Sequence, residues 1–600
     1  MDKSNPQGNE FKSRPKCRST EEYRFRLNGF CKPVCIFLLF VITLGAYMAA
    51  FAGEGSSILD LQLWSDRTTV PVRSPSGGSI TLINLNPEAN SWYILQLKKT
   101  DGTVADYFHL ENPYPETQLL ELDHDGTLVL AEDSVQQRYD LLSGGKESLL
   151  AAARKVKRPF VELCDGRLYL RNPTVGHKTR KEWMTDLLRD RVRFGEKITN
   201  FIKERFYRDR YRKTALQNPQ RNWTFLQDER KSPVRIGVLS GTGMFNLKKM
   251  DMNFSLSTEP ADNIKPGYWY PIPGYPGIFA SVVTPEIIPD TLGWIRKGLI
   301  SPLEQKETSA LVYLVAFDLS MFDFAFALGT DHPRVGWSDR VPEKSRIPSL
   351  PGPDGFDSVG PLVRTGKVNP RDVDRVAATF AGGFKRNHGA FKWGDLANRN
   401  RGSHYGFIEN GVILSTLQPG LATLVAYDDG RVEMKTWEEE DAASVRSIRY
   451  ARQNGVPILE PHPVTGNVRP GSLVRDWGKG NWSGSDTKEL RTLRAGACIQ
   501  ETHGSRFLIY GYFSSGTPST MAHVFQACNC RYAMHLDMNA PEHTYLAIYR
   551  RDGSHFVVQR LVKEMAEVDP PVDGQELPRY IGYSDNRDFF YLLRKTEGSE

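Results

Sequence analysis

Residues 381–388 read Ala-Gly-Gly-Phe-Lys-Arg-Asn-His, two glycines followed at once by Lys385, Arg386, Asn387 and His388. Gly382 and Gly383 permit positive φ and close backbone approach, so the amides around Phe384 and Lys385 suit a bound anion. Lys385, His388 and, in LRTLRAGACI, Arg491 and Arg494 add cations. Taken singly, each has a plainer reading: the glycines as a bulge, Lys385 as a solvated charge, His388 as a loop histidine, Arg494 as an ordinary ion pair.

A second stretch, RYAMHLDMNAPEH at 531–543, carries the complementary chemistry. In strand geometry Ala533, His535 and Asp537 project to one face and Met534, Leu536 and Met538 to the other. Asp537 falls at the strand's end, where a carboxylate either caps the next loop or serves as a base or nucleophile. Cys528-Asn529-Cys530 lies just before it, with Cys498 upstream. The spacing matches no standard zinc pattern, so a disulfide from Cys498 to Cys528 or Cys530 is favoured over a metal site.

The elements that position these residues read as follows. Residues 79–175 give short strands with Asp-Gly turn signals in LLELDHDGTLVLAED and FVELCDGRLYL, a β-rich module. Residues 178–213 switch to helical spacing with 13 basic and 6 acidic residues. Such a helix either packs between domains with a solvated basic face, the favoured reading, or lies on anionic lipid or an acidic polymer. Residues 236–276, rich in Pro, Gly and Tyr from 255 on, read as a linker or covering loop. Gly241-Thr242-Gly243 lacks the lysine and hydroxyl residue of a phosphate-binding loop.

From 277 onward one α+β unit is expected. Residues 310–329 suggest a hairpin with one buried strand, Asn369-Pro370 a helix start, and YGFIENGVILST and TLVAYDDGRVEMKTW two hairpins. Residues 518–528 read as a helix feeding the strand that carries Asp537.

The order AGGFKRNHG, YGFIENGVIL, LRAGACI and YAMHLDMN resembles the phosphodiester glycosidase family across roughly residues 305–560, and a bacterial envelope branch in particular. The chain shares Gly382, Gly383, Phe384, Arg494, Leu536 and Asp537 with the family pattern. It departs at Ala381, at Lys385, and in MNAPEH where the family has a glycine-rich tail. The resemblance implies a mixed-sheet α+β domain that cleaves a sugar-1-phosphodiester without metal or cofactor. It makes Asp537 the nucleophile or general base, His388 a proton-transfer or phosphate contact, and Arg494, Lys385 and the Gly-Gly amides the phosphate holders. Asn539, His535 and Glu542 are placed at sugar hydroxyls. A non-catalytic glycan binder on the same fold, or a structural partner protein working through 79–213, are the alternatives.

The whole chain, 600 residues with net charge +6, is too long for one core, and its 40% hydrophobic share is ordinary for globular domains. Residues 34–52 carry no charge and are long enough for a membrane helix. The first 33 residues hold eight Lys and Arg against four acids, which keeps the N-terminus cytoplasmic and sends the rest outward, periplasmic or extracellular. Cleavage near Ala52, leaving a secreted chain, is the alternative. The expected order is a basic tail (1–33), an anchor (34–52), a β-rich domain (53–235), a linker (236–276) and the glycosidase-like domain (277–600). Outside the basic helix and tail the charge is close to balanced, so nucleic acid is not an expected partner. A phosphorylated glycan is.

Overall fold

The computed structural model describes residues 57–596 apart from 72–76, 143–147, 181, 185–231, 259–261, 478–490, 554, 570, 573 and 574. The apolar run 34–52, the tail before it and most of the basic helix 178–213 lie outside the described residues. Among the described residues, no helix is long and apolar enough to cross a membrane.

The β-rich module opens with β1 (Asp66–Pro71), β2 (Ser79–Asn84), β3 (Trp92–Lys98) and β4 (Val104–Glu111), each antiparallel to the next. A separate meander follows: β5 (Gln118–Leu122), β6 (Leu128–Glu132) and β7 (Val135–Tyr139), with Gly126 at φ 88° in the first turn. After α1 (Leu149–Lys155), β8 (Phe160–Leu163) and β9 (Leu168–Arg171) rejoin the first sheet beside β4. Phe108, Leu110, Leu128, Leu150 and Leu170 share its own apolar cluster.

Residues 236–276 contribute side chains to the main core. Ile236, Phe245, Met252, Ile264, Trp269 and Tyr275 all enter the main core. Prolines and glycines break regular structure here, so the sequence looks loop-like, but large aromatics between them are costly to leave in water. β10 (Phe245–Asn246) pairs with β11 (Asn263–Ile264), and β12 (Tyr270–Pro271) pairs with β13 (Ile278–Val283).

The strands that follow are β14 (Val312–Asp318), β15 (Phe322–Ala327), β16 (Val376–Ala381), β17 (Phe407–Glu409), β18 (Val412–Ser415), β19 (Ala422–Tyr427), β20 (Val432–Thr436) and β21 (Ile448–Gln453). Then come β22 (Pro457–Pro461), β23 (Val468–Pro470), β24 (Thr492–Thr502), β25 (Ser505–Gly516), β26 (Cys530–Met538), β27 (Leu546–Asp552) and β28 (His555–Arg560). A small pair, β29 (Pro571–Val572) and β30 (Gln575–Glu576), precedes the last strand, β31 (Phe589–Arg594). They assort into an eight-stranded sheet β12-β13-β14-β25-β24-β26-β22-β23 and two five-stranded sheets, β15-β31-β16-β27-β28 and β18-β17-β21-β19-β20. The class is mixed, mostly β with few helices.

Residues 310–329 do not form the expected hairpin: β14 pairs with β13 and β25, while β15 pairs with β31 in another sheet. Both strands are buried over most of their length, but β14 is central in its sheet while β15 is the edge strand of another, and the turn at 319–321 carries the chain between the two sheets. The Asn-Gly turn joins β17 to β18, with Asn410 at φ 51° and Gly411 at φ 74°, and Gly430 at φ 78° joins β19 to β20. Asn369 caps the turn after it by accepting the Arg371 amide at 2.9 Å, but that turn is 3₁₀. α2 (Arg386–Gly389) follows β16, and α3 (Pro518–Ala527), capped by Thr517, leads into β26. The disulfide joins Cys498 of β24 to Cys530 of β26, and Cys528 is a buried thiol.

The module and the large sheets share one compact unit, Gly55–Glu600. Ile83, Leu85, Trp92 and Ile94 of β2 and β3 and the link between them belong to the main core. Asn86 donates to the Gly411 carbonyl at 2.9 Å, and Arg171 to that of Val363 at 3.2 Å.

Candidate active site

β16, Val-Ala-Ala-Thr-Phe-Ala, is buried at every residue, and the chain leaves it through Gly382 and Gly383. A Cβ on Gly382 would lie 2.6 Å from Asp588 Oδ2, and one on Gly383, at φ 152°, 2.7 Å from Arg452 Nη1. Only glycine lets this backbone approach so closely. The groups it approaches are a buried polar network. Arg452 Nε donates to Asp588 Oδ2 at 2.7 Å and its Nη2 to the Phe384 carbonyl at 3.2 Å. Burial works against a charge on Asp588, but Arg452 and His332 outweigh it and hold its carboxyl well below the usual range.

Asn454 ties this loop to β26. Its Oδ1 accepts from the Phe384 amide at 3.1 Å, and its Nδ2 donates to the carbonyls of His535 and Leu536, both at 2.6 Å. The Phe384 amide is therefore already bonded, a correction to the expected anion nest. The two sequence motifs are nevertheless brought together: the Phe384 and His535 rings meet edge to face at 4.9 Å.

Asp537 is 4% exposed, in β26 one residue before its end. Its Oδ1 accepts the Met538 amide at 2.8 Å and its Oδ2 accepts from Arg587 Nη1 at 2.6 Å. Burial pushes its carboxyl up to about 6, with Arg587 pulling the other way. From Asp537 the network runs through Arg587, whose Nη2 lies 3.0 Å from Glu182 Oε1. The same oxygen accepts from Lys385 Nζ at 3.1 Å and Asn586 Nδ2 at 3.0 Å. Burial opposes ionisation of Glu182, but Arg587 and Lys385 prevail and keep it well below the ordinary carboxylate range. Lys385 also bonds Asp331 Oδ2 at 3.1 Å, which Lys178 approaches to 2.8 Å. Lys385 is thus a buried, paired cation, not a solvated one.

Other expected site residues are placed differently. Arg494 is fully buried, donating to the Gly516 carbonyl at 2.8 Å and to Met538 Sδ at 3.3 Å, with its guanidinium 5.2 Å from the centre of the Trp477 ring. Burial pushes it down to about 9. His535 Nε2 lies 3.5 Å from Arg494 Nη1, and the Arg494 bonds to Gly516 and Met538 brace β24 against the end of β25 and against β26. The guanidinium beside Asp537 is that of Arg587 instead. Arg491 pairs with Glu304 at 2.8 Å and Glu307 at 3.3 Å. Asn539 stands at φ 84° in the turn after β26, accepting from Thr492 at 3.2 Å, a turn role. Glu542 is buried, and its carbonyl accepts from Arg579 at 2.6 Å. His388 is half-buried in the single turn α2, and His535 is buried, with its ring held well below the usual range by burial and Arg494. Among the described residues, no group of three His, Cys, Asp or Glu side chains is arranged to hold a metal ion.

Sequence reading missed Glu182, Arg452, Asn454, Asn586, Arg587 and Asp588. One signal was present: Ser584–Asp588 is five polar residues directly abutting the apolar run Phe589–Leu593. A polar run entering a buried strand marks polar groups carried into the core.

No family model matches the chain, and no curated protein does. Among solved structures it distantly resembles the catalytic domain of zebrafish N-acetylglucosamine-1-phosphodiester alpha-N-acetylglucosaminidase. That match has 11% identity and a TM-score of 0.27 and covers 53% of this chain and 84% of that one. A protein of Burkholderia pseudomallei matches at 10% identity and TM-score 0.17, over 47% of this chain and 74% of its own. A hypothetical protein from Synechocystis matches at 10% identity and TM-score 0.21, over 88% and 99%.

Proposed function

We propose that this chain is a membrane-anchored, extracytoplasmic hydrolase that cleaves a sugar-1-phosphodiester in an envelope or exopolysaccharide-type glycan. The observation that carries the reading is Asp537: a buried carboxylate whose carboxyl stands at about 6, gripped by Arg587 and joined through it to Lys385 by way of Glu182. A group with that value is mostly ionised at neutral pH, so it serves as nucleophile at the anomeric carbon or as base toward a water. The departing phosphate monoester is a good leaving group, so stabilising its charge matters more than protonating it. Arg587, bonded to Asp537, and Lys385, connected to Arg587 through Glu182, have the right charge and donors for that task. The order of motifs shared with phosphodiester glycosidases supports the same reading.

A non-catalytic glycan or phosphate binder is the second reading, favoured by the occupied state of the site: Asp537 is 4% exposed and Glu182 takes the cations. A panel of sugar-1-phosphodiesters incubated with the full chain separates the two. Turnover that Asp537→Asn and Arg587→Ala each remove supports the enzyme. Retained binding with no turnover by the parent chain or any variant supports the binder.

A further inference from the structure

Glu182 belongs to neither of the sheets that carry Asp537 and the Gly-Gly loop. After β9 the chain runs past Thr330, whose hydroxyl accepts the Gly176 amide at 3.0 Å, and the His177 amide donates to the Ser584 carbonyl at 2.8 Å. A helical turn then begins, with Thr179 Oγ1 accepting the Glu182 amide at 3.1 Å. The two residues after Glu182, Trp183 and Met184, are 58% and 56% exposed. Glu182 is thus the buried carboxylate that this turn carries into the site, beside the Lys178–Asp331 ion pair at 2.8 Å.

The donors around that carboxylate are anchored without it. Arg587 is held by Asp537, and its amide by Asp585 Oδ1 at 2.9 Å; Lys385 is held by Asp331. Three donors converge on the single oxygen Glu182 Oε1 from two chain segments, Lys385 from one and the adjacent Asn586 and Arg587 from the other, which is the demand of a phosphoryl oxygen as much as of a carboxylate. Asn586 Oδ1, next to them, is buried with no hydrogen-bond partner among the described residues, an acceptor suited to a hydroxyl of a sugar or of a phosphate monoester.

We propose that Lys385, Asn586 and Arg587 form the phosphoryl subsite of this centre, and that Glu182 is its resident anion, exchanged for the phosphate of the substrate. The proposal rests on the reading of Asp537 as the reacting group of a phosphodiester glycosidase. Glu182 and phosphate compete, so binding requires the Glu182 carboxylate to leave the three donors. The competition sets a threshold: only a ligand presenting phosphate together with a sugar gains enough contacts to displace a tethered carboxylate.

The test is phosphate binding by calorimetry, with inorganic phosphate as the probe and chloride at matched ionic strength as control, on the full chain and on Glu182→Gln and Glu182→Ala. Glu182→Gln keeps the side chain's shape, so it guards against a Glu182→Ala chain that fails to fold. Phosphate affinity is expected to rise at least about tenfold in both variants. Adding Lys385→Ala to Glu182→Gln is expected to remove that gain, and phosphate is expected to raise the melting temperature of the variants more than that of the parent. Unchanged phosphate affinity, or a gain matched by chloride, overturns the proposal. The readings fail separately: tighter phosphate binding without turnover of any phosphodiester keeps the subsite and removes the enzyme. Turnover that depends on Asp537, with phosphate affinity indifferent to Glu182, keeps the enzyme and removes the resident anion.

Discussion

At Asp537 two opposing influences decide the chemistry. Loss of water raises its carboxyl and Arg587 lowers it, leaving a value of about 6, where a carboxylate is ionised at neutral pH yet retains basicity. If the ionised form does the work, kcat/KM rises with pH through an acid limb near 6 and levels off above it, measured on the substrate found by the hydrolysis panel. Asp537→Asn is expected to lower kcat by on the order of 10³ with little change in KM, the mark of a group that acts in the transition state. Loss of KM with kcat preserved contradicts that role. Asp537 and the Gly382-Gly383 pair were legible in the sequence because glycines and a carboxylate at a strand end are unusual locally. Arg587 and Glu182 were not, because a guanidinium gains meaning only from the carboxylate it faces. The carboxylates that Arg587 faces come from β26 and from a helical turn distant in the sequence.

At the scale of elements, the Gly-Gly exit from β16 is what brings the opening motif against β26. A side chain at Gly383 meets Arg452 and Asn454 and forces a backbone conformation that L residues rarely adopt. Gly383→Ala is expected to destabilise the fold by roughly 2–4 kcal/mol in urea unfolding. Gly430→Ala is the comparison: φ is 78° but the space around it is open, so the cost is about 1 kcal/mol. Equal losses at the two positions speak against the packing argument. The disulfide clamps β24 to β26 across a separation of 32 residues. Cys498→Ser together with Cys530→Ser is expected to cost about 3 kcal/mol, and reductant to shift the parent's melt but not the double variant's. Hairpins with Asn-Gly and Asp-Gly turns were readable because the turn residues fix the register between neighbours in sequence. The pairing of β14 and β15 with strands of different sheets was not, since two buried apolar runs joined by a short turn fit either arrangement. In residues 236–276 proline and glycine report broken regularity, while the burial of Trp269 and Tyr275 between them is set by their apolar surface.

At the scale of the molecule, the β-rich module and the large sheets meet through buried charge. Arg171 of β9 bonds Glu111 and lies 3.8 Å from Glu409, whose Oε2 accepts the Leu328 amide at 2.9 Å. Burial pushes Glu409 up to about 7, Arg171 works the other way, and Glu111 adds to the rise. A carboxyl raised in the folded state contributes stability that is complete below its ordinary value, near 4.5, and fades as pH climbs through about 7. Glu409→Gln is expected to match the parent near pH 4 and to exceed it by on the order of 3 kcal/mol above pH 8, read from urea unfolding across the range. A difference independent of pH contradicts the assignment.

The central claim is that water attacks the sugar and not the phosphorus. Hydrolysis in ¹⁸O-labelled water tests it most directly, with mass spectrometry of both products from the full chain and from Asp537→Asn. The label is expected in the released sugar and not in the phosphate monoester, with product from Asp537→Asn formed slower by on the order of 10³. Label in the phosphate, or product formed by Asp537→Asn at the parent's rate, contradicts it.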